Sequence, residues 1–202
     1  MIRHCSLLTL AATFLAAGCT PERSTPTFTE VRIPLRASSA RNDNTSVHLN
    51  GDGEVPARET QAQGQAILRI ADDGSSFDFK LIASNIDNVI MAHIHCGPAG
   101  VNGPIRVWFY PVIGLSGAPA PSGAGRQDGV LAEGSFTFPA AGLSCPAVAA
   151  GPNNPAIPAM SLLDAIHAGY AYVNVHTNDG VGATNTGAGD FPGGEIRAQT
   201  AK

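Results

Sequence analysis

Val89-Ile-Met-Ala-His93-Ile-His95-Cys96 and Ala171-Tyr-Val-Asn174-Val-His176 lie far apart in the chain but read as the same kind of object. Polar and apolar residues alternate with period two in both, the signature of a β-strand with two unlike faces. In the first, Ile90, Ala92 and Ile94 share one face, and Met91, His93 and His95 share the other. In the second, Ala171, Val173 and Val175 oppose Tyr172, Asn174 and His176. With the apolar faces in a core, three imidazoles stand outward on the opposite face of a sheet. Whether the two strands are neighbours decides between a metal site and three unrelated surface histidines.

Other strand candidates surround these two at short intervals. Ser46–Leu49 precedes a turn at Asn50-Gly-Asp-Gly53, and Gly64–Ile70 and Ser76–Ala83 flank a hairpin signal at Asp72-Asp-Gly74-Ser75. Ile105–Tyr110, Val130–Phe138 (with Gly134 as a candidate bulge), Tyr170–His176 and Glu195–Gln199 bring the number to about eight. Such spacing without intervening helices implies an all-β antiparallel sandwich or Greek-key barrel. One segment differs. Ser161-Leu-Leu-Asp164-Ala-Ile-His167-Ala-Gly169 carries an N-cap serine, an acid three residues on and a closing glycine, so it predicts one short helix. His167 reads as a surface residue complementing that helix's C-terminal dipole. Residues 114–129 and 178–194 read as long glycine-rich loops, the second placed to form one wall of a site at His176.

Composition agrees with a turn-rich β fold: 14% charged and 6% aromatic residues, against 23 glycines and 15 prolines. A formal charge of −4 and no basic cluster argue against nucleic acid as a partner. Arg3 followed by the apolar stretch Leu7 to Ala17, too short for a stable span, predicts a targeting signal over residues 1–18. Its end, Leu15-Ala-Ala-Gly18-Cys19, resembles the bacterial lipoprotein signal, in which cleavage precedes a cysteine that is then lipidated. The resemblance implies a lipid anchor on Cys19 and a place in the bacterial cell envelope. Thr20, where many inner-membrane lipoproteins carry aspartate, favours the outer membrane. An ordinary secretory signal with a chance cysteine is the alternative. Residues 19–45, rich in Pro, Ser, Thr and Arg, read as a flexible tether, and 46–200 as the folded domain.

Cys5 leaves with the signal and Cys19 takes the lipid, so Cys96 and Cys145 remain as an even pair in an exported chain. A disulfide between them is the expectation. The rival is a Cys96 thiolate ligand beside His95; strand alternation opposes it, because Cys96 falls on the face away from His93 and His95.

Three stretches carry a resemblance to a known family. Leu49-Asn-Gly51-Asp-Gly-Glu54-Val55-Pro56 resembles the opening motif of the CHRD domain, a module named after chordin. His93-Ile-His95-Cys-Gly97-Pro-Ala-Gly100-Val-Asn102-Gly103-Pro104 resembles its central motif. Ala171-Tyr-Val-Asn-Val-His176-Thr177, with Pro192-Gly-Gly194-Glu195-Ile-Arg197, resembles its closing motif; Ala198 stands where the pattern often has glycine. The resemblance runs over residues 46–200. It implies an all-β domain and little about function, since chordin binds growth factors outside cells and an envelope lipoprotein has no obvious equivalent. The His-x-His strand, a glycine-rich loop with a cysteine and a late Val-x-His strand are also similar to the copper half of copper/zinc superoxide dismutase. That likeness implies a superoxide-dismutase-like or immunoglobulin-like barrel with histidines on its outer face.

The chemistry follows from spacing. Residues two apart on a strand are roughly 6.5–7 Å apart and a neighbouring strand about 4.8 Å away, so three rings can converge on one ion at about 2 Å. A shared ion requires their nitrogens within about 4 Å of one another. Three nitrogens in a T-shaped or distorted tetragonal set suit copper, with zinc the alternative. Met91 shares their face, either as a soft axial contact favouring Cu(I) or packed against a loop. His48 joins only if the first strand approaches the site, and otherwise sits on the surface. Arg197 is the candidate for attracting an anion such as superoxide, against the more ordinary role of pairing with Glu195. No second cluster resembles a zinc subsite, and no Gly-x-Ser-x-Gly elbow, phosphate loop or paired acid setting supports another enzyme class. The expectation is an envelope-anchored domain that binds a copper-type ion through His93, His95 and His176 for storage or delivery. The alternatives are a metal-free module for envelope proteins or glycans and, third, a dismutase-like redox enzyme.

Overall fold

The hairpin around Asp72-Asp-Gly74-Ser75 forms as read: Gly74 takes a left-handed φ of 68°, and the Ala71 and Gly74 amides close the turn. It joins β2 (Gln63–Ile70) to β3 (Ser76–Asp87), and β2 pairs on its other side with β1 (Asn44–Asn50). The remaining long strands are β4 (Val89–Cys96), β5 (Ile105–Tyr110), β6 (Arg126–Thr137), β9 (Ala171–Thr177) and β10 (Ile196–Gln199), with the two-residue β7 (Ser144–Cys145) and β8 (Met160–Ser161) between. A computed structural model describes residues 44–201 except 153. The signal over 1–18, the lipidated Cys19 and all but the last two residues of the 19–45 tether lie outside the described residues.

Eight strands form one antiparallel sheet in the order β5-β4-β9-β10-β1-β2-β3-β6. The meander β1-β2-β3 is flanked by β10, which returns from the far end of the chain to lie beside β1, a Greek-key relation. The end strands β5 and β6 approach each other, so the sheet curls into a nearly closed barrel-like wall. Across its interior Phe109 of β5 stacks on Phe79 of β3 at 4.1 Å between centroids, and Phe77 meets Phe79, Phe109 and Phe136. Leu49, Leu68, Leu81, Ile86, Ile94, Val173, Val175 and Ile196 fill the rest of the core with no exposed surface.

The helix α1 (Leu162–Ala168) is capped as its sequence predicts. Ser161 Oγ accepts from the Asp164 amide at 3.0 Å, and Gly169 closes it at φ 74°, a left-handed conformation that favours glycine. Leu162, Ala165 and Ile166 bury its inner face, while His167 is exposed. Cys96 and Cys145 form a disulfide, tying the end of β4 to β7. Both cysteines belong to the apolar core, on the face away from the histidines.

Two local expectations need correcting. Gly134 is not a bulge: it pairs regularly with Phe79, and the register slips instead at Leu131, because Leu81 faces Ala132 while Ile82 faces Val130. Gly134 lies beneath Ile113, whose Cδ1 stands 2.5 Å from where a Cβ would project. Ile90 is buried but outside the core cluster; a register shift between Val89 and Met91 sends Val89 inward in its place.

Candidate metal centre

β4 and β9 are direct antiparallel neighbours, with Met91 opposite His176, His93 opposite Asn174 and His95 opposite Tyr172. Strand alternation therefore gathers the three imidazoles on one face, as expected. Their candidate ligand nitrogens all lie within 4.8 Å of one another, and His93 Nδ1 is 3.3 Å from His176 Nε2. The closer pair already matches the edge of about 3.3 Å that a tetrahedral ion with 2.0–2.1 Å arms requires. The set as a whole, at up to 4.8 Å, is wider than the expected 4 Å.

The face is not open to solvent as the alternation implied. His93 is 0%, His95 6% and His176 5% exposed. The rings lie beneath a lid of loops and aromatic side chains, so this side of the sheet is a second, polar core. Trp108 of β5 stands nearly perpendicular to His93 at 4.1 Å, and Tyr172 stacks on His95 at 4.8 Å. The loop after β4 and the loop after β9 supply carbonyls to the ring nitrogens. His95 Nδ1 donates to Gly103 O at 2.9 Å, and His176 Nδ1 donates to Pro192 O at 2.9 Å. A carbonyl only accepts, so each Nδ1 carries the proton and each Nε2 carries a lone pair. This is how backbone acceptors fix the tautomer of metal-ligating histidines. Nε2 of His95 and of His93 is buried with no hydrogen-bond partner.

Burial also keeps the rings uncharged. Desolvation, helped by the neighbouring rings, pushes His93 down to about 2. Desolvation takes His95 to about 4 against the support of Gly103, and His176 to about 4 against that of Pro192. At neutral pH no proton competes for the lone pairs.

The lid is held by charged side chains whose partners differ from the sequence reading. Arg197 does not pair with Glu195. Its guanidinium lies 3.4 Å over the Tyr172 ring and donates to Pro98 O, Val101 O, Asn102 Oδ1 and Gln199 Oε1. It thereby fastens the loop that presents Gly103 to His95. Glu195 instead accepts from Thr60 Oγ1, Thr177 Oγ1 and the Gly189 amide, fastening the loop that presents Pro192. Gly103 is dictated by space, since a Cβ there would meet Cys96 O at 1.5 Å.

Glu54, Asn174, Trp108 and Tyr172 complete the surroundings and were not singled out as site residues from sequence. Asn174 and Tyr172 alternate in phase with His176, which was the signal available for them. Glu54 is 5% exposed, and burial raises its carboxyl to about 7 against the pull of Arg197 and Arg58. His48 is exposed on β1, outside the group of three buried rings, and Met91 is partly exposed opposite His176.

The family model for the CHRD domain matches residues 45–200 of this chain. No curated protein and no solved structure matches it.

Proposed function

The chain belongs to the CHRD domain family, and on that premise we propose that its domain binds a transition-metal ion, copper favoured and zinc the alternative. His93, His95 and His176 are the ligands, and the role is storage or delivery on a lipid-anchored protein of the bacterial envelope. One observation carries the reading: three buried imidazoles, two with Nδ1–H committed to backbone carbonyls, converge within 4.8 Å, with at most the one ring proton of His93 to share among them. A buried nitrogen without a partner, such as His95 Nε2, is costly and uncommon, and a cation coordinated there satisfies it. A neutral, all-imidazole set walled by Trp108 and Tyr172 suits copper. Met91 remains a candidate soft contact on the same strand face. The Cys96–Cys145 disulfide fits an oxidising compartment, and the anchor rests on the motif ending in Cys19.

The test is titration of the purified protein with Cu(I), Cu(II) and Zn(II), beside His93→Ala and His176→Ala. We expect one equivalent bound by the parent and at least a hundredfold loss in either variant. No stoichiometric binding, or binding that ignores both substitutions, overturns the reading.

A metal-free interaction module keeps one observation in its favour. Val112, Ile113 and Leu115 are 46%, 43% and 53% exposed on the segment after β5. If Val112→Ser/Leu115→Ser abolishes capture of envelope proteins or glycans while the histidine variants do not, that reading prevails.

A further inference from the structure

The three imidazoles leave the donor set one short of the four that a tetrahedral or tetragonal ion takes. The side-chain oxygen of Asn174 stands beside these rings. It lies 3.0 Å from His176 Nε2, and Asn174 sits directly opposite His93 in the β4–β9 ladder. The same side chain is close enough to His95 to favour its charged form. Ligand atoms on one ion with arms of about 2.0–2.1 Å lie roughly 2.9 Å apart at right angles and 3.3 Å apart in a tetrahedron. Both the 3.0 Å and the 3.3 Å contacts of His176 Nε2 fall in that range.

The hydrogen count points the same way. His176 Nδ1 holds its proton toward Pro192 O, so Nε2 is a lone pair facing the Asn174 oxygen, which is another. His95 Nε2 is a third, since its Nδ1 proton goes to Gly103 O. His93 can bring at most one proton to this point, through Nδ1. At least two of these three acceptors are then left without a proton, a deficit that a cation resolves and a hydrogen bond does not. Turning the amide over would supply a donor to His176. In the structure, however, the amide is set with its oxygen, not its nitrogen, 3.0 Å from His176 Nε2, and the Asn174 side chain favours the charged form of the buried Glu54 carboxyl.

We infer that Asn174 Oδ1 is the fourth ligand of the ion held by His93, His95 and His176, and that this amide oxygen biases the site toward Cu(II) over Cu(I). The inference rests on the metal-binding reading above. A carboxamide oxygen is a hard, neutral donor of the kind that serves as an axial ligand in copper sites, and it interacts better with the divalent ion than with the soft monovalent one.

The experiment compares the parent protein with Asn174→Leu, which has no donor, and Asn174→Asp, which keeps an oxygen there, after circular dichroism on each. Each is loaded with Cu(II) for paramagnetic resonance and X-ray absorption, and Cu(I) and Cu(II) affinities are measured by chelator competition. Asn174→Leu is expected to weaken Cu(II) binding about 10- to 100-fold, change Cu(I) binding less than threefold, and alter the copper hyperfine splitting. Asn174→Asp is expected to keep a four-donor spectrum and parent or tighter Cu(II) affinity. If Asn174→Leu folds and keeps the parent spectrum and Cu(II) affinity, the amide is not a ligand. If it does not fold, a change in the Asn174→Asp spectrum indicating loss of the oxygen donor overturns the assignment. Failure of the parent to bind copper removes both this inference and the one beneath it. Loss of binding in His176→Ala beside an unchanged Asn174→Leu removes this one alone.

Discussion

An imidazole that stays uncharged down to about pH 4 is a poor base and, for the same reason, an available ligand. The three rings should leave a mark on stability even in protein stripped of metal. Between pH 6.5 and about 4 the unfolded chain binds a proton on each ring and the folded domain does not. The unfolded state then holds more protons, so stability falls as pH falls, by up to about 1.4 kcal/mol per pH unit for each ring. Glu54 acts with opposite sign: its folded carboxyl keeps its proton from 4.5 up to about 7, so its contribution shrinks as pH rises through that window. Three rings outweigh one carboxyl, so stability is expected to rise with pH from about 4 and to level off only above about pH 7. Urea denaturation midpoints of the chelator-treated protein at pH 4.5, 5.5 and 6.5 check this; a flat profile would mean the rings are not buried neutral. Gly103 gives a second residue-scale expectation. Gly103→Ala must push the loop off Cys96 O and so shift the carbonyl that holds His95. It should weaken metal binding at least tenfold by titration without touching a ligand.

At the scale of elements, period-two alternation made β4 and β9 and their shared facing readable. The cap and closing glycine of α1 were readable because a helix end needs particular side chains at particular places. The disulfide was readable from parity alone. Opening it with Cys96→Ser/Cys145→Ser, which frees a span of 49 residues, should lower unfolding free energy by about 2–4 kcal/mol in urea titration. Any effect below 1 kcal/mol would show that β7 and α1 hold without it. What stayed hidden has a common cause. Alternation states which side of a strand a residue occupies, not what covers that side. His93 and His176 therefore looked solvated, although Trp108 and the Pro192 carbonyl sit against them. Arg197 and Glu195 looked like a pair by spacing along one strand. Arg197 instead reaches Pro98, 99 residues away, and Glu195 reaches Thr60, 135 away, both beyond the reach of local pattern.

For the whole molecule, an ion that binds only the folded form raises its stability by mass action. A free ion at 100 times its dissociation constant should add about 2.7 kcal/mol and raise the melting temperature by roughly 5–10 °C for a domain of this size. Differential scanning calorimetry with and without copper measures the shift, and His176→Ala should abolish it. The barrel order itself exceeded what the sequence specified. A sheet of eight strands admits many sequences of neighbours, and only the long-range return of β10 to β1 settles one. The closed lid over the three rings has a consequence in time rather than in affinity. A nitrogen set at 0–6% exposure exchanges its occupant only when the loops fastened by Arg197 and Glu195 open. Loading and release should therefore follow the frequency of that opening, independent of the concentration or strength of a competing chelator. Stopped-flow removal of copper should plateau as chelator rises, and Arg197→Gln should lift the plateau. The domain would then act as a timed reservoir, its leak rate written in two loop latches.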